Sequence, residues 1–280
     1  MLNILYCGND KVFDGIFTSA LSVVMRLNKP RPVNFYIFTM SLTRVNKRYT
    51  PLTKKHCDIL ERELIKHNEQ TTVTLYDITD LYETHLHKNA NEKCYCSPYT
   101  LLRLFADCVS PALPNKLLYL DADIMAVKDL SLLFDLGVDG FEYLASRDHY
   151  GKFLIYPNYI NAGVLLFNMP LCKQNGLFEK ARALIKVKKL MFADQSAIIR
   201  STTRRKVVSQ RFNDQKFLYK GTVIRHFSKR LFYLPYPHTE NIKQWQVDKV
   251  KKKFGYTCFD DIYLSYNQAK ANYEKELNYV

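Results

Sequence analysis

The sequence predicts an α/β fold: a mixed, mostly parallel sheet flanked by helices, with a helical appendage at the C-terminal end. Three observations carry this expectation. Up to residue 120, short apolar runs alternate with segments of helical period, as in successive βα units. Gly, Asn, Asp and Pro punctuate the joins. The 280 residues are 47% hydrophobic and 24% charged, enough for one large core and too apolar for wholesale disorder.

Asn3–Cys7 is apolar and closed by Gly8-Asn9-Asp10, which predicts a buried strand and a turn. Ile16, Phe17, Ala20, Val23, Val24 and Leu27 share one helical face, predicting a helix over Asp14–Arg26. Val33–Phe38 reads as a second strand. Thr50-Pro51 supplies an N-cap and a proline at the first helical position, predicting a helix that runs to His67. Val73–Tyr76 is the third strand, and Ser97-Pro98 repeats the capping device before a helix through Cys108. Lys116–Leu120 is the fourth strand. Beyond it, strands are expected over Tyr143–Ser146, Asn161–Phe167 and Thr222–His226, and helices over Leu171–Lys188 and Asp194–Arg200. Composition shifts after Pro237, so the chain divides into a main α/β domain over 1–237 and a basic, aromatic appendage of two helices over 238–280.

With 41 Lys and Arg against 27 Asp and Glu, the net charge of +14 calls for an anionic partner such as a phosphate-bearing ligand or an acidic membrane. No nucleic-acid motif accompanies the charge, so nucleic acid is not expected. The seven cysteines are scattered without a CxxC, and the Cys94/Cys96 pair lacks a second pair to complete a zinc site. They are expected to be reduced, packed thiols in a reducing compartment. MLNILYCGND has no basic n-region before an apolar run, and stretches such as Val164–Phe167 fall far short of a bilayer span. A soluble or peripheral cytoplasmic protein is expected.

Four segments could carry chemistry. In Leu117-Leu118-Tyr119-Leu120-Asp121-Ala122-Asp123 an apolar strand ends in two carboxylates two residues apart. Extended geometry puts both on one side, where hard oxygen donors suit Mg²⁺ or Mn²⁺ carrying a diphosphate. Asn161-Ala162-Gly163 leads into a core strand, its small residues permitting close ligand approach. Asp194-Gln195 opens a helix, where Asp194 serves as a cap and Gln195 points above the sheet. His226 ends an apolar strand before Lys229 and Arg230, and its imidazole would favour Mn²⁺ over Mg²⁺. Lys186, Lys188 and Lys189 read as a solvated face. Lys249–Lys253, with Trp245 nearby, suits an anionic membrane or an acidic glycan.

Taken in order, Gly8-Asn9-Asp10, Tyr99-Thr100-Leu101-Leu102-Arg103-Leu104, Leu-Tyr-Leu-Asp-Ala-Asp ending at Asp123, Asn161-Ala162-Gly163-Val164, Asp194-Gln195 and His226-Phe227 resemble the family 8 retaining glycosyltransferases of the GT-A fold, over residues 3 to about 230. The resemblance implies transfer of galactose or glucose from a UDP-sugar to a glycan or lipid-linked acceptor of lipopolysaccharide type. It places Cys7, Gly8, Asn9, Asp10 and Val12 around the nucleoside, and Arg103, Ala122, Asn161 and Ala162 along the donor. Asp121, Asp123 and His226 become Mn²⁺ ligands, with Mg²⁺ as the substitute. Asp194 meets sugar hydroxyls and Gln195 faces the anomeric carbon. Because Gln195 is neutral, a front-face mechanism is favoured, with Asp148 and Asp194 as the carboxylates for a double displacement. The pattern departs where family members continue from the His to a Gly and then Lys-Pro-Trp. Those Gly and Lys positions fall on Lys229 and Phe232, so Lys229 or Arg230 is expected to meet the diphosphate. Val12 stands where an aromatic commonly stacks on uracil. The alternatives are a sugar nucleotidyltransferase, whose glycine-rich basic loop is missing here, and a non-enzymatic polyanion-binding protein.

Overall fold

A computed structural model of the chain describes residues 1–93 and 97–278. The Cys94/Cys96 pair lies outside the described residues. The chain opens with β1 (Leu2–Cys7), α1 (Phe13–Met25), β2 (Val33–Thr39), α2 (Lys54–Ile65), β3 (Thr71–Asp77) and α3 (Thr79–Leu86). A 3-10 helix over Pro98–Phe105 precedes β4 (Lys116–Leu120), β5 (Ile124–Ala126), α4 (Ser131–Phe134), β6 (Tyr143–Arg147), α5 (Gly151–Leu154) and β7 (Ile160–Asn168). Then come α6 (Met169–Gln174), α7 (Leu177–Val187), α8 (Ala193–Ser201), β8 (Arg205–Val208), β9 (Ile224–His226), β10 (Arg230–Phe232), β11 (His238–Glu240), α9 (Val247–Phe254) and α10 (Asp260–Asn278).

Seven strands form the central sheet in the order β3-β2-β1-β4-β7-β6-β8. Only β7 runs against the others, pairing antiparallel with β4 and β6. The sheet is mixed and mostly parallel, as the sequence predicts. Its residues face two cores, one against α1, α2 and α10 and one against the 3-10 helix, α7 and α8. Among the described residues, no helix is long and apolar enough to cross a membrane.

Differences from expectation have local causes. The helix expected from Pro51 begins at Lys54, because Thr53 and His56 form the capping box. Thr50 instead donates through Oγ1 to Asp10 Oδ2 at 2.5 Å. The segment after Ser97 is wound as a 3-10 helix and ends at Phe105. The single helix expected over Leu171–Lys188 is two, broken at Gly176, whose φ of +64° is the left-handed conformation glycine tolerates. A hairpin of β10 and β11 after His226 is not evident from the sequence pattern.

Core packing crosses residue 237. Tyr263, Tyr266 and Tyr273 of α10 are buried in the same cluster as Phe13 and Phe17 of α1. The rings of Tyr273 and Phe13 meet edge-on at 5.5 Å. Asp14 of α1 accepts from the Tyr273 hydroxyl and pairs with Lys270 Nζ at 2.6 Å. The tail is therefore part of the wall that supports α1. Tyr273→Ala should lower the free energy of unfolding by about 3–5 kcal/mol, the usual cost of emptying a buried aromatic site. Deleting 260–280 should prevent folding. Urea unfolding monitored by circular dichroism measures both effects, and an unchanged midpoint would exclude this buttressing role.

Candidate metal and donor site

Three pairings of the backbone assemble the site. Registers of β1 against β4 set Cys7-Gly8-Asn9 beside the carboxyl end of β4, where ligands of such sheets bind. The antiparallel match of Leu120 with Val164 brings Asn161-Ala162-Gly163 alongside, and the Asp121 N–H donates to the Gly163 carbonyl at 2.8 Å. The short β5–β9 pair sets Ile124 opposite His226, and the Phe227 N–H donates to the Asp123 carbonyl at 2.7 Å.

Asp121, Asp123 and His226 consequently converge, with one ligand atom from each lying within 4.8 Å of the others. His226 Nε2 is 3.0 Å from Asp123 Oδ1 and 3.8 Å from Asp121 Oδ2. Gly163 is required here: a Cβ on it would come within 2.4 Å of the His226 ring and 2.8 Å of Asp121 Oδ2. The other imidazole nitrogen is occupied. Asp148 Oδ2 accepts from Asn161 Nδ2 at 2.9 Å, which leaves Asn161 Oδ1 to accept from the Gly163 N–H at 3.0 Å and from Asn213 Nδ2 at 2.9 Å. Asn213 Oδ1 in turn accepts from His226 Nδ1 at 3.0 Å. A carboxylate only accepts and a backbone N–H only donates, so the chain has one direction. It leaves the Nε2 lone pair turned toward the two carboxylates, as a metal ligand requires. Two hard oxygens and an imidazole with a fixed tautomer fit a divalent cation.

Lys243 completes the charge balance. Its Nζ pairs with Asp123 Oδ2 and lies 3.3 Å from the Phe227 carbonyl. Burial acts to raise the Asp123 carboxyl, but Lys243 and, when its ring is protonated, His226 outweigh it and hold the group well below the usual carboxylate range. Beside this group opens a cleft. Cys7, Gly8, Asn9 and Val12 form one wall, Asp121, Ala122 and Asp123 the floor, and Lys243 and Trp245 a third side. Asn9 is buried, and its Nδ2 finds no partner in the protein, an unmet donor in a cleft that the sequence assigns to a nucleoside.

Several expected residues occupy different places. Asp10 turns to Thr50 and is not in the cleft wall. Arg103 does not face the cleft. It is 1% exposed, donating to Asp121 at 2.9 Å, to the Thr100 carbonyl at 3.0 Å and to the Ala162 carbonyl, and pairing with Asp194 at 3.2 Å. Asp148 has neither oxygen free: Oδ1 accepts from the N–H groups of Tyr150 and Gly151 at 3.0 and 2.7 Å. Gln195 Oε1 accepts from the Ala162 N–H at 2.9 Å. Arg230 packs its guanidinium on Phe232 and Phe254, and neither Lys229 nor Arg230 lines the cleft. The cation beside the carboxylates is Lys243, in Lys243-Gln244-Trp245, which the β10–β11 hairpin separates from His226. Trp245 packs against Gly15, where a Cβ would lie 2.5 Å from the indole. It therefore belongs to the cleft and not to an outward basic surface. The signal for it was present as a Lys-x-Trp triplet, displaced along the chain.

Fold and site together define a GT-A glycosyltransferase. The model of glycosyl transferase family 8 matches residues 3–229, and the chain belongs to that family. It is therefore an enzyme of the glycosyltransferase class, which decides against the nucleotidyltransferase and polyanion-binding alternatives. Among solved structures, it resembles LgtC, a galactosyltransferase crystallised with donor and acceptor sugar analogs, with a TM-score of 0.62 and 15% identity over 94% of this chain and 96% of that one. GlyE of Streptococcus pneumoniae is similar, with a TM-score of 0.63 and 15% identity over 96% of this chain and 63% of GlyE. The bifunctional glycosyltransferase WbbM gives 0.63 and 15% over 94% of this chain, which spans 51% of WbbM. No curated protein matches the sequence.

Asn213→Ala removes the acceptor that orients His226. It should weaken Mn²⁺ binding by about 10–100-fold, the usual effect of losing such a partner, while the protein stays folded. Titration of free Mn²⁺ by electron paramagnetic resonance without donor measures this, and unchanged affinity would show that Asn213 does not set the imidazole.

Proposed function

We propose that the protein is a Mn²⁺-dependent retaining hexosyltransferase that moves galactose or glucose from a UDP-sugar to a glycan or lipopolysaccharide-type acceptor. The observation that carries this reading is the convergence of Asp121, Asp123 and His226 on the floor of a cleft walled by Asn9. These three residues would hold the cation, and Asn9 would meet the nucleoside. When bound, the cation supplies positive charge to the diphosphate as it departs.

The protein's own contributions follow from where its side chains stand. Lys243 lines the cleft beside Asp123 and supplies a second positive charge for the diphosphate. Gly163 leaves room for the His226 ring and for Asp121 Oδ2. Gln195 is neutral and anchored to the backbone of β7, so it offers a fixed dipole and a poor nucleophile. Both Asp148 oxygens hold backbone or Asn161 donors, and Asp194 is buried in its pair with Arg103. Burial raises the Asp194 carboxyl, an effect Arg103 only partly opposes. No carboxylate of this pair stands ready to attack, which supports a front-face route in which the departing phosphate oxygen accepts the acceptor's proton.

On this reading the enzyme works in the cytoplasm at the inner face of a membrane. Buried, unpaired thiols at Cys7, Cys57 and Cys172 are in keeping with a reducing compartment. The lysines at 249, 251, 252 and 253 are exposed on α9 and available to an anionic surface, although Lys251 and Lys253 also pair with Asp260 and Glu240.

Purified protein should release UDP from UDP-galactose or UDP-glucose with Mn²⁺ and stop when the metal is chelated. Asp123→Asn should abolish turnover, and Lys243→Ala should lower kcat by about 100-fold or more, as for removal of one donor to a developing anion. Wild-type rates in Asp123→Asn at saturating Mn²⁺ would overturn the assignment. NMR of the product glycoside tests retention: a β-linkage from the α-linked donor would refute it.

A further inference from the structure

A second concavity lies between the loop after α5 and the loop joining α7 to α8. Tyr156, Tyr159, Leu190, Phe192 and Ile199 give it an apolar lining, and Lys188, Lys189 and Arg200 complete it with no acidic residue. Met191 of the lining is 78% exposed, and the residues that flank lining residues Ile155 and Lys188 in the chain also project into water: Phe153 is 77% exposed, Leu154 81% and Val187 72%. A soluble protein seldom gathers so many on one short helix and the end and connection of another without a partner. The lysine loop is held in place. Buried Asn91 donates to the carbonyls of Ile185 and Lys188 at 2.9 and 2.7 Å and accepts from the Leu190 N–H at 2.7 Å. At the inner end, Tyr159 is 4% exposed, with its hydroxyl beside the Gln195 and Ser196 side chains. The groove adjoins the side where Gln195 would face the anomeric carbon, which on the proposed function is the acceptor side, since Ser196, next to Gln195, lines it.

We propose that this face docks on an anionic lipid bilayer, with one acyl chain of an anionic phospholipid entering the groove and its headgroup meeting Lys188, Lys189 and Arg200. The apolar residues at the rim and the all-cationic polar set match the two layers of a membrane interface, hydrocarbon below and negative charge above. A neutral glycan would use the aromatic rings and leave three cations without a counter-charge. An acidic protein would pair the cations and leave Leu154 and Met191 against polar surface. The assignment rests on the glycosyltransferase reading only in calling this the acceptor side. It moves the expected membrane contact from residues 241–280 to the segments at 153–159 and 187–192.

The test is co-sedimentation of the full chain with vesicles of phosphatidylcholine alone or mixed with phosphatidylglycerol. Binding should require the anionic lipid and weaken at high salt. The double variant Leu154→Ser, Met191→Ser should lose about tenfold or more in partitioning. Lys188→Ala with Lys189→Ala should lose about 30-fold, the equivalent of two basic contacts with an anionic surface. UDP release from the donor alone should be unchanged in both, because none of these residues touches the cleft. A control with the four α9 lysines changed to Ala should retain most binding. Wild-type partitioning of the loop variants, loss confined to the α9 variant, or no binding to anionic vesicles would each overturn the proposal. Spin-labelled phosphatidylglycerol should broaden the methyl signals of Ile155 and Ile199, and unaffected signals during binding would exclude the acyl chain from the groove. A wild type that binds vesicles but never releases UDP would fail the donor reading and leave the surface standing.

Discussion

One buried guanidinium governs the geometry of the catalytic half. Arg103 sits beneath the cleft with its Cζ 3.8 Å from the centre of the Tyr119 ring, and its charge is balanced by Asp121 on one side and Asp194 on the other. Burial acts to lower its proton affinity, but the two carboxylates and Tyr119 more than compensate and keep it charged. Removing Arg103 would leave Asp121 and Asp194 without the cation they share, in a medium that solvates them poorly, so the arrangement has little latitude. The consequence reaches four elements. The 3-10 helix supplies the arginine, the turn that ends β4 supplies Asp121, β7 the Ala162 carbonyl that accepts from it, and α8 the second acid. Gln195 follows Asp194 and bonds back to Ala162, so its position is set by the same cluster.

What the sequence disclosed, and what it hid, follows from the range of the interactions. Lys116–Leu120 was legible because an apolar run stopped by acids needs no partner to be read as a strand end. Asp121, Asp123 and His226 were legible as chemistry, and the fold joins them through β5 and β9. Asn213 was not legible, because nothing in its neighbourhood separates it from any polar turn residue. Its meaning lies in the far end of a bond to His226. Local rules also misled: Pro51 announces a helix start, yet Thr53 forms the cap, and Gly176 divides a segment whose apolar period continues through it. The expected roles of Lys229 and Arg230 came from counting along the chain where the register had been displaced.

The charge of the protein is unevenly committed. In the cleft and beneath it, positive groups answer specific acids: Lys243 meets Asp123, and Arg103 meets Asp121 and Asp194. On α9 and around the second groove, lysines stand at the surface, where salt screens them. The +14 surplus is thus a property of surfaces. It describes how the molecule is drawn to its surroundings more than how the centre holds a ligand.

The β10–β11 hairpin is pinned at its base. Both of its flanks are moored to the same residue, Phe227 by its N–H to the Asp123 carbonyl and Lys243 by its amine to the Asp123 side chain. Whatever the chain does between those moorings, the two ends return to one place. Entropy of closing such an excursion rises only slowly with its length. Residues 228–242 therefore span an excursion whose length can change at small entropic cost while Asp123 holds both of its ends.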